Sequence, residues 1–532
     1  MSKKRDLSFD PNYLSQQGIK FLNEGNFEKS KEIFNQLIIH FSNNVELLNL
    51  LGFVNLQLNC HEESFSVYSK SIEINPHQVE VFFNRAIVSA KLKKFPEAIK
   101  DYDVVISHNP KNIDALINQS AVYQDMQNFE EGLRTINIAL SYDPNNYKAL
   151  SNRGNLFQSL YRYEDAIHDF DMAIKLEPSI IGTYVNRSNS LKFLGRLSEA
   201  AKSLDAALAI DKNNANAQFH YSILLLSQKR FSEGWEKYKY RWKAKNLKQP
   251  KFVEDLPSFS ITEKHGKLLV WCEQGIGDQI FFGSILRDLP KNLVVEVLIN
   301  PKLIDLFKLS FPHISFISSQ SNIEISSYDF QIGLVELASL YRNSKDDLNK
   351  LPSRFIITND VKNNVFKKIL QKNKKFTCGI SWKSKNNING YARSISLESL
   401  LPILQTQGLS FVNLQYGDTT ADANYLKDNY DINFEDIGSV DNYNDLDSLA
   451  SLIESCDFII TIDNSTVHLA GSMGKKTYLL LPYGLGSIWY WHDDNQSIWY
   501  PSVEIFRQKE PQDWCGVTED ILRKIRIQKI VG

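Results

Sequence analysis

Histidine and cysteine are sparse in this chain of 532 residues, and neither is arranged to hold a metal. The ten histidines form no H-x-x-x-H pair and no mixed cluster with cysteine, so the spacing gives no basis for a structural zinc or another protein-built metal centre. The five cysteines (Cys60, Cys272, Cys378, Cys456 and Cys515) are odd in number, scattered and never spaced C-x-x-C, which predicts buried reduced thiols. An excess of one charge is missing too. Lys+Arg total 60 against Asp+Glu 62, for a net charge of −2, which is no electrostatic footprint for nucleic acid and means that any anionic ligand is held locally. Long apolar runs are lacking: stretches such as Tyr478–Pro482 are strand-sized, and the basic start Met-Ser-Lys-Lys-Arg-Asp leads into no apolar segment of the signal-peptide kind. The expectation is a cytoplasmic protein without membrane spans.

Core-forming residues are plentiful, at 43% hydrophobic and 12% aromatic, which excludes long disordered stretches. A chain of this length exceeds one core and predicts several folding units. In the first half Pro76, Pro110, Pro144 and Pro178 close the segments INP, HNP, YDP and LEP at a strict period of 34 residues. Extended both ways, the period gives seven units starting near Pro11, Val45, Val79, Ile113, Tyr147, Ile181 and Ala215. A small residue stands eighth in each unit (Gly18, Gly52, Ala86, Ser120, Gly154, Ser188, Ser222) and another twelve positions later (Ser30, Ser64, Ala98, Gly132, Ala166, Ala200, Gly234). Helices approach closely at such positions. This resembles the tetratricopeptide (TPR) helix-turn-helix family over residues 11-248, an α-solenoid whose concave groove suits an extended peptide or a protein partner. These repeat-defining residues serve packing. The last unit carries Trp235, Tyr238, Tyr240 and Trp242 where a polar cap would end the array, so its terminal helix is expected to dock on the next domain.

From Gly266 onward short β-rich runs alternate with amphipathic segments, the mark of parallel α/β architecture. Strands are predicted at 267-272, 294-299, 313-318 and 328-334, then at 376-382, 409-415, 456-462 and 476-482. The fold class read here is a TPR superhelix followed by a GT-B-like pair of Rossmann-like lobes, 249-360 and 361-532. The lobes would join near 355-375, and a ligand cleft would lie at the strand C-termini.

Three loops carry candidate chemistry. In CEQGIGDQIFF (272-282), Gly275 and Gly277 permit a tight turn and close backbone approach to a ligand. The third glycine and trailing acid of a dinucleotide fingerprint are missing, which excludes an NAD-dependent dehydrogenase on this motif. Asp278 fits a general base acting on an acceptor hydroxyl, and by spacing alone it fits a helix N-terminal cap better. In TIDNSTVHLAGSMGKKTYLLLP (461-482), Asp463, Asn464, Ser465 and Thr466 would stand at a sheet edge beside free N–H groups at a helix start, a place for a pyrophosphate, with His468 on the first turn. In GISWKSKNNINGYARSISL (379-397) and LQYGD (414-418), Lys383, Lys385 and Arg393 would neutralise diphosphate charge, and Ser381 and Gln415 would give neutral hydrogen bonds. The D-x-D pairs at Asp101/Asp103, Asp169/Asp171 and Asp445/Asp447 fall in helical text, so no metal site is expected and a metal-independent mechanism fits better.

The segments GWEKYKYRW, EQGIGDQI, GISWKS, RSISL, FVNLQYGD, DNSTVHLAGSMGKKTYLLLP and SIWYPSVEIFRQ, in order across 234-508, resemble the glycosyltransferase family 9 group, which includes the ADP-heptose:lipopolysaccharide heptosyltransferases. The resemblance implies a catalytic base at Asp278 and nucleotide-diphosphate binding by Asp463, Ser465 and His468, with Lys383 and Arg393 on the phosphates. Trp382, Gln415 and Asn464 complete the expected donor pocket with Gly275 and Gly277. It also implies inverting transfer of a sugar from a nucleotide-sugar co-substrate, with no cofactor. The heptosyltransferase segment has Thr or Ser and Gly between its Asp and His where this chain has Asn464 and Thr466-Val467, so ADP-heptose is not implied as donor. The alternative is a non-catalytic TPR scaffold whose glycosyltransferase-like domain is degenerate.

Overall fold

The computed structural model describes residues 10-373, 375-384, 393-438, 440-484 and 488-527. The chain divides into two compact units, Met1–Ser190 and Leu191–Gly532.

The first unit is a TPR-like array of antiparallel helix pairs. Pro11–Asn23 and Phe27–His40 open it, followed by Val45–Gln57 with His61–Ile74, Val79–Lys91 with Phe95–His108, Ile113–Asp125 with Phe129–Tyr142, and Tyr147–Ser159 with Tyr163–Leu176. Two local devices repeat with the period. Asn44, Asn112 and Asn146 each accept a backbone N–H three residues on, capping a first helix. The tight turn inside each pair holds one residue in the left-handed region: Gly25, Asn59, Lys93, Gln127 and Tyr161, with φ between 58° and 73°. The eighth-position glycines are sterically required. A Cβ on Gly52 would lie 2.5 Å from the Tyr68 ring, and one on Gly154 would lie 2.6 Å from the Phe170 ring. The acids of the first two D-x-D pairs are taken up inside the array: Asp101 pairs with Arg85 (2.8 Å), Asp103 accepts from Gln119 (2.7 Å), Asp169 pairs with Arg153 (2.7 Å) and Asp171 with Arg187 (2.6 Å).

The second unit contains the last repeat helices, Leu197–Ile210, Ala215–Ser227 and Phe231–Tyr238, together with the parallel α/β region. The aromatic end of the array is buried, as its composition requires. Trp235 is 5% exposed, donates its Nε1 hydrogen to the Arg342 carbonyl (2.8 Å), and meets Trp489 edge-on at 5.3 Å. Arg241, also buried, is held between the Glu273 and Glu336 carboxylates.

Two parallel sheets complete this unit. The first has the order β3-β2-β1-β4, from β1 (Gly266–Trp271), β2 (Leu293–Ile299), β3 (Ser315–Ser318) and β4 (Phe330–Gly333). The second has the order β6-β5-β7-β8-β9, from β5 (Phe376–Ser381), β6 (Leu409–Asn413), β7 (Phe458–Ile462), β8 (Thr477–Leu481) and β9 (Val503–Arg507). Strands β7 and β8 are buried along their whole length, the pattern of a sheet covered on both faces. In each sheet the strand order reverses at the first strand, between β1 and β4 and between β5 and β7. Loops at the carboxyl ends of such strands form crevices where ligands bind in open α/β folds.

Candidate functional site

The three motif loops sit at these two reversal points. The turn after β1 carries Gly275, the extended N-cap of the helix Ile276–Gly283, and places Gly277 and Asp278 in its first turn. The turn after β7 carries Asp463 and Asn464, the N-cap of the helix Ser465–Ser472. The two turns touch: a Cβ on Gly277 would lie 2.9 Å from His468 Cδ2 and 3.8 Å from Ser465 Cα. Gly277 is thus needed for close approach of the two helix starts.

Asp278 makes no side-chain capping bond, and among the described residues no hydrogen bond reaches its carboxylate. Burial, reinforced by the nearby Asp463 carboxylate, pushes its pKa up to about 6, against the opposing pull of Lys245 and Arg393. A half-buried, unbonded carboxylate that titrates near neutrality has the properties of a general base.

Asp463 is buried. Its Oδ1 accepts from Trp491 Nε1 (2.9 Å), and its Oδ2 lies 3.2 Å from an Arg393 nitrogen in an ion pair that lacks hydrogen-bond geometry. Arg393 Nε and Asp463 Oδ2 are therefore both buried without a hydrogen-bond partner, a guanidinium with donors to spare beside the Asp278 loop. His468 is enclosed by aromatics. Its Nδ1 faces the Tyr500 hydroxyl (3.2 Å), its Nε2 faces the Tyr490 hydroxyl (3.3 Å), and its ring stacks on Trp491 at 5.6 Å. Burial drops its pKa to about 3, so the ring is neutral at physiological pH.

Gln415 is the hub of a second group. Its Oε1 accepts from the Ser381 hydroxyl (3.0 Å), the Trp382 amide (2.9 Å) and the Lys383 amide (2.8 Å). Asn464 joins by donating to Ser381 Oγ (2.8 Å). This network fixes the loop after β5 against that after β7. Trp382 is fully buried in the core of the second sheet, stacked on Phe434 at 5.8 Å. Lys383 turns its ammonium to Asp422 (2.8 Å). Lys385 lies outside the described residues. The structure thus brings Gly277, Asp278, Asp463, Ser465, His468 and Arg393 to one place, and Ser381, Gln415 and Asn464 to an adjoining one. The third D-x-D pair lies apart, with Asp445 capping Leu446–Ser455 and Asp447 paired to Lys362 (2.7 Å).

Sequence reasoning missed Trp491, Tyr490, Tyr500 and Phe281, which wall in His468. A signal existed: the tetrapeptide Ser-Ile-Trp-Tyr occurs twice within fourteen residues, at 487-490 and 497-500. It missed Arg507 as well, which donates to the Gly484 (3.2 Å) and His492 (2.7 Å) carbonyls.

Comparison with known proteins finds the repeats. A tetratricopeptide-repeat family model matches residues 181–214. Among curated proteins the chain is similar to Protein FlbA of Caulobacter vibrioides, at 27% identity over 319 residues, covering 56% of this chain and 53% of that protein. The chain thus spans about half the length of the curated relative it matches. Among solved structures it is similar to a tetratricopeptide repeat protein from Parabacteroides merdae, at 18% identity and a TM-score of 0.41, covering 46% of this chain and 96% of that one. It is also similar to MamA from Desulfovibrio magneticus, at 19% identity and a TM-score of 0.31, covering 32% and 96%.

Proposed function

We propose that the chain is an inverting, metal-independent glycosyltransferase that moves a sugar from a nucleotide-sugar to an acceptor hydroxyl on a glycan, lipid or protein, while the repeats bind the acceptor or a protein partner. The observation that carries this reading is Asp278: a carboxylate without a hydrogen-bond partner, with its pKa raised to about 6, at the carboxyl end of β1 and facing the loop after β7. In this mechanism Asp278 removes the acceptor proton as the oxygen attacks the anomeric carbon. The nucleoside diphosphate leaves toward Arg393 and the start of the helix Ser465–Ser472, where the positive end of the helix dipole and a guanidinium meet its charge. The residue roles rest on the motif resemblance together with this geometry.

The second reading, a non-catalytic scaffold, is favoured by two contacts. Both His468 ring nitrogens are occupied by tyrosine hydroxyls, and Lys383 is paired with Asp422. One experiment separates the two. The purified chain is incubated with UDP-, GDP-, ADP- and CMP-sugars, and both melting temperature and nucleotide release are followed. A transferase binds one nucleotide class, which raises the melting temperature, and Asp278→Asn loses turnover while keeping that rise. A chain that responds to no nucleotide-sugar is the scaffold.

A further inference from the structure

A cavity of about 470 Å³ lies between the helix Phe231–Tyr238 of the last repeat and the helix Leu334–Tyr341 that follows β4. That volume is in the range of small-ligand sites. Trp235 and Val335 give it an apolar wall, Tyr238 and Arg241 line it from buried positions, and Glu236 and Lys239 line it from exposed ones. A second cavity, of about 260 Å³, shares Glu336 and Ser339 with the first and reaches Trp271 and Gln331, so a ligand of more than one ring has room. The floor adjoins the candidate site. Arg241 lies 2.8 Å from Glu273, which opens the turn that carries Gly275 and Asp278.

The polar groups of the lining are left with capacity. Arg241 is held by Glu273 and Glu336, yet its Nε has no hydrogen-bond partner, and neither has Glu336 Oε2. Tyr238 is 8% exposed, and among the described residues nothing hydrogen-bonds its hydroxyl. Among the same residues the Glu236 carboxylate and the Lys239 ammonium have no ion-pair or hydrogen-bond partner. Arg241 and Lys239 balance Glu236 and Glu336, so the lining is neutral while it offers both donors and acceptors. That combination favours hydroxyl groups, which donate and accept at once. An anion would meet a guanidinium already neutralised by two carboxylates, and an apolar ligand would cover polar groups without pairing them.

We propose that this cavity binds a neutral sugar ring, with its hydroxyls on Tyr238, Glu236 and Lys239 and its C–H face toward the wall of Trp235 and Val335. The end of the repeat array thereby builds a carbohydrate site of its own beside the first sheet. This binding does not depend on the transferase reading and holds equally for a scaffold.

The test uses the full chain and calorimetric titration with the neutral methyl glycosides of glucose, galactose, mannose and N-acetylglucosamine. Glucuronate and glucosamine serve as charged controls. At least one neutral glycoside binds, and more tightly than either control. Tyr238→Phe, which removes only the hydroxyl, and Glu236→Gln each weaken that binding by about three- to tenfold. Glu236 is exposed and carries the test if Tyr238→Phe fails to fold. Absence of binding by every glycoside, tighter binding of a charged control, or unchanged affinity in Glu236→Gln overturns the site. Displacement of the glycoside by the nucleotide-sugar that stabilises the protein also overturns it, because the sugar then sits in the donor pocket. Glycoside binding with no response to any nucleotide-sugar refutes the transferase reading alone, and a nucleotide-sugar response with no glycoside binding refutes this site alone.

Discussion

Replacing Asp278 by Asn separates the two roles that the sequence left open for it, because they predict stability changes of opposite sign. In the folded protein the carboxyl pKa is about 6, above its ordinary value of 3.8. The folded state thus binds the proton more tightly than the unfolded state, and ionisation of Asp278 opposes folding. Its stabilising contribution is complete below about pH 4 and lost as the pH rises through about 6. A gap of about two pKa units is worth about 3 kcal/mol at pH 8. Unfolding entropy for a unit the size of Leu191–Gly532 is about 0.7 kcal/mol per kelvin, so Asp278→Asn should raise the melting temperature of that unit by about 4 °C at pH 8. At pH 4 the difference should vanish. The assay is a pair of thermal melts across that pH range. A first-turn acid acting as a cap or dipole partner would give the reverse, a loss of about 0.5–1 kcal/mol at pH 8. A variant that melts at or below the parent temperature at pH 8 refutes the account of a destabilised carboxylate.

Other perturbations test other parts of the structure. Gly154→Ala should destabilise the first unit by about 1–3 kcal/mol, because its methyl collides with Phe170; denaturant midpoints measure this, and Phe170→Leu in the same chain should restore part of the loss. Trp235→Ala should cost about 3–5 kcal/mol through the lost packing on Trp489 and the lost bond to Arg342, seen as an earlier urea transition of the second unit. Gln415→Leu removes the acceptor shared by the Trp382 and Lys383 amides and should cost about 1–3 kcal/mol for each amide left buried and unpaired. Hydrogen exchange should accelerate at those two amides first.

The repeat architecture was legible because each of its causes is local and recurs. Glycine or another small residue every 34 positions, a proline after four of the second helices and an asparagine cap before several first helices state the fold several times over. The strands of both sheets were legible where apolar residues run unbroken, as in β7 and β8. Strand β9 was not, since Val503–Arg507 alternates Val, Glu, Ile, Phe and Arg as an edge strand does. Motif spacing found the loops but not the direction of their side chains. Lys383 turns to Asp422, a residue on the separate helix Thr420–Tyr430, and nothing in the spacing names that partner. Likewise Trp382 follows a buried strand in either reading, and only packing against Phe434 assigns it to the core. The pairing of Arg393 with Asp463 joins residues seventy positions apart.

The central claim is that Asp278 is a base serving a nucleotide-sugar, and the release of free nucleotide as a function of pH tests it most directly. The account predicts that, with the donor that stabilises the protein and an acceptor present, release by the unmodified chain rises with pH through about 6 and falls to background in Asp278→Asn, whose donor affinity is kept. Release by Asp278→Asn at the parent rate, or no release from any nucleotide-sugar class at any pH, would contradict it.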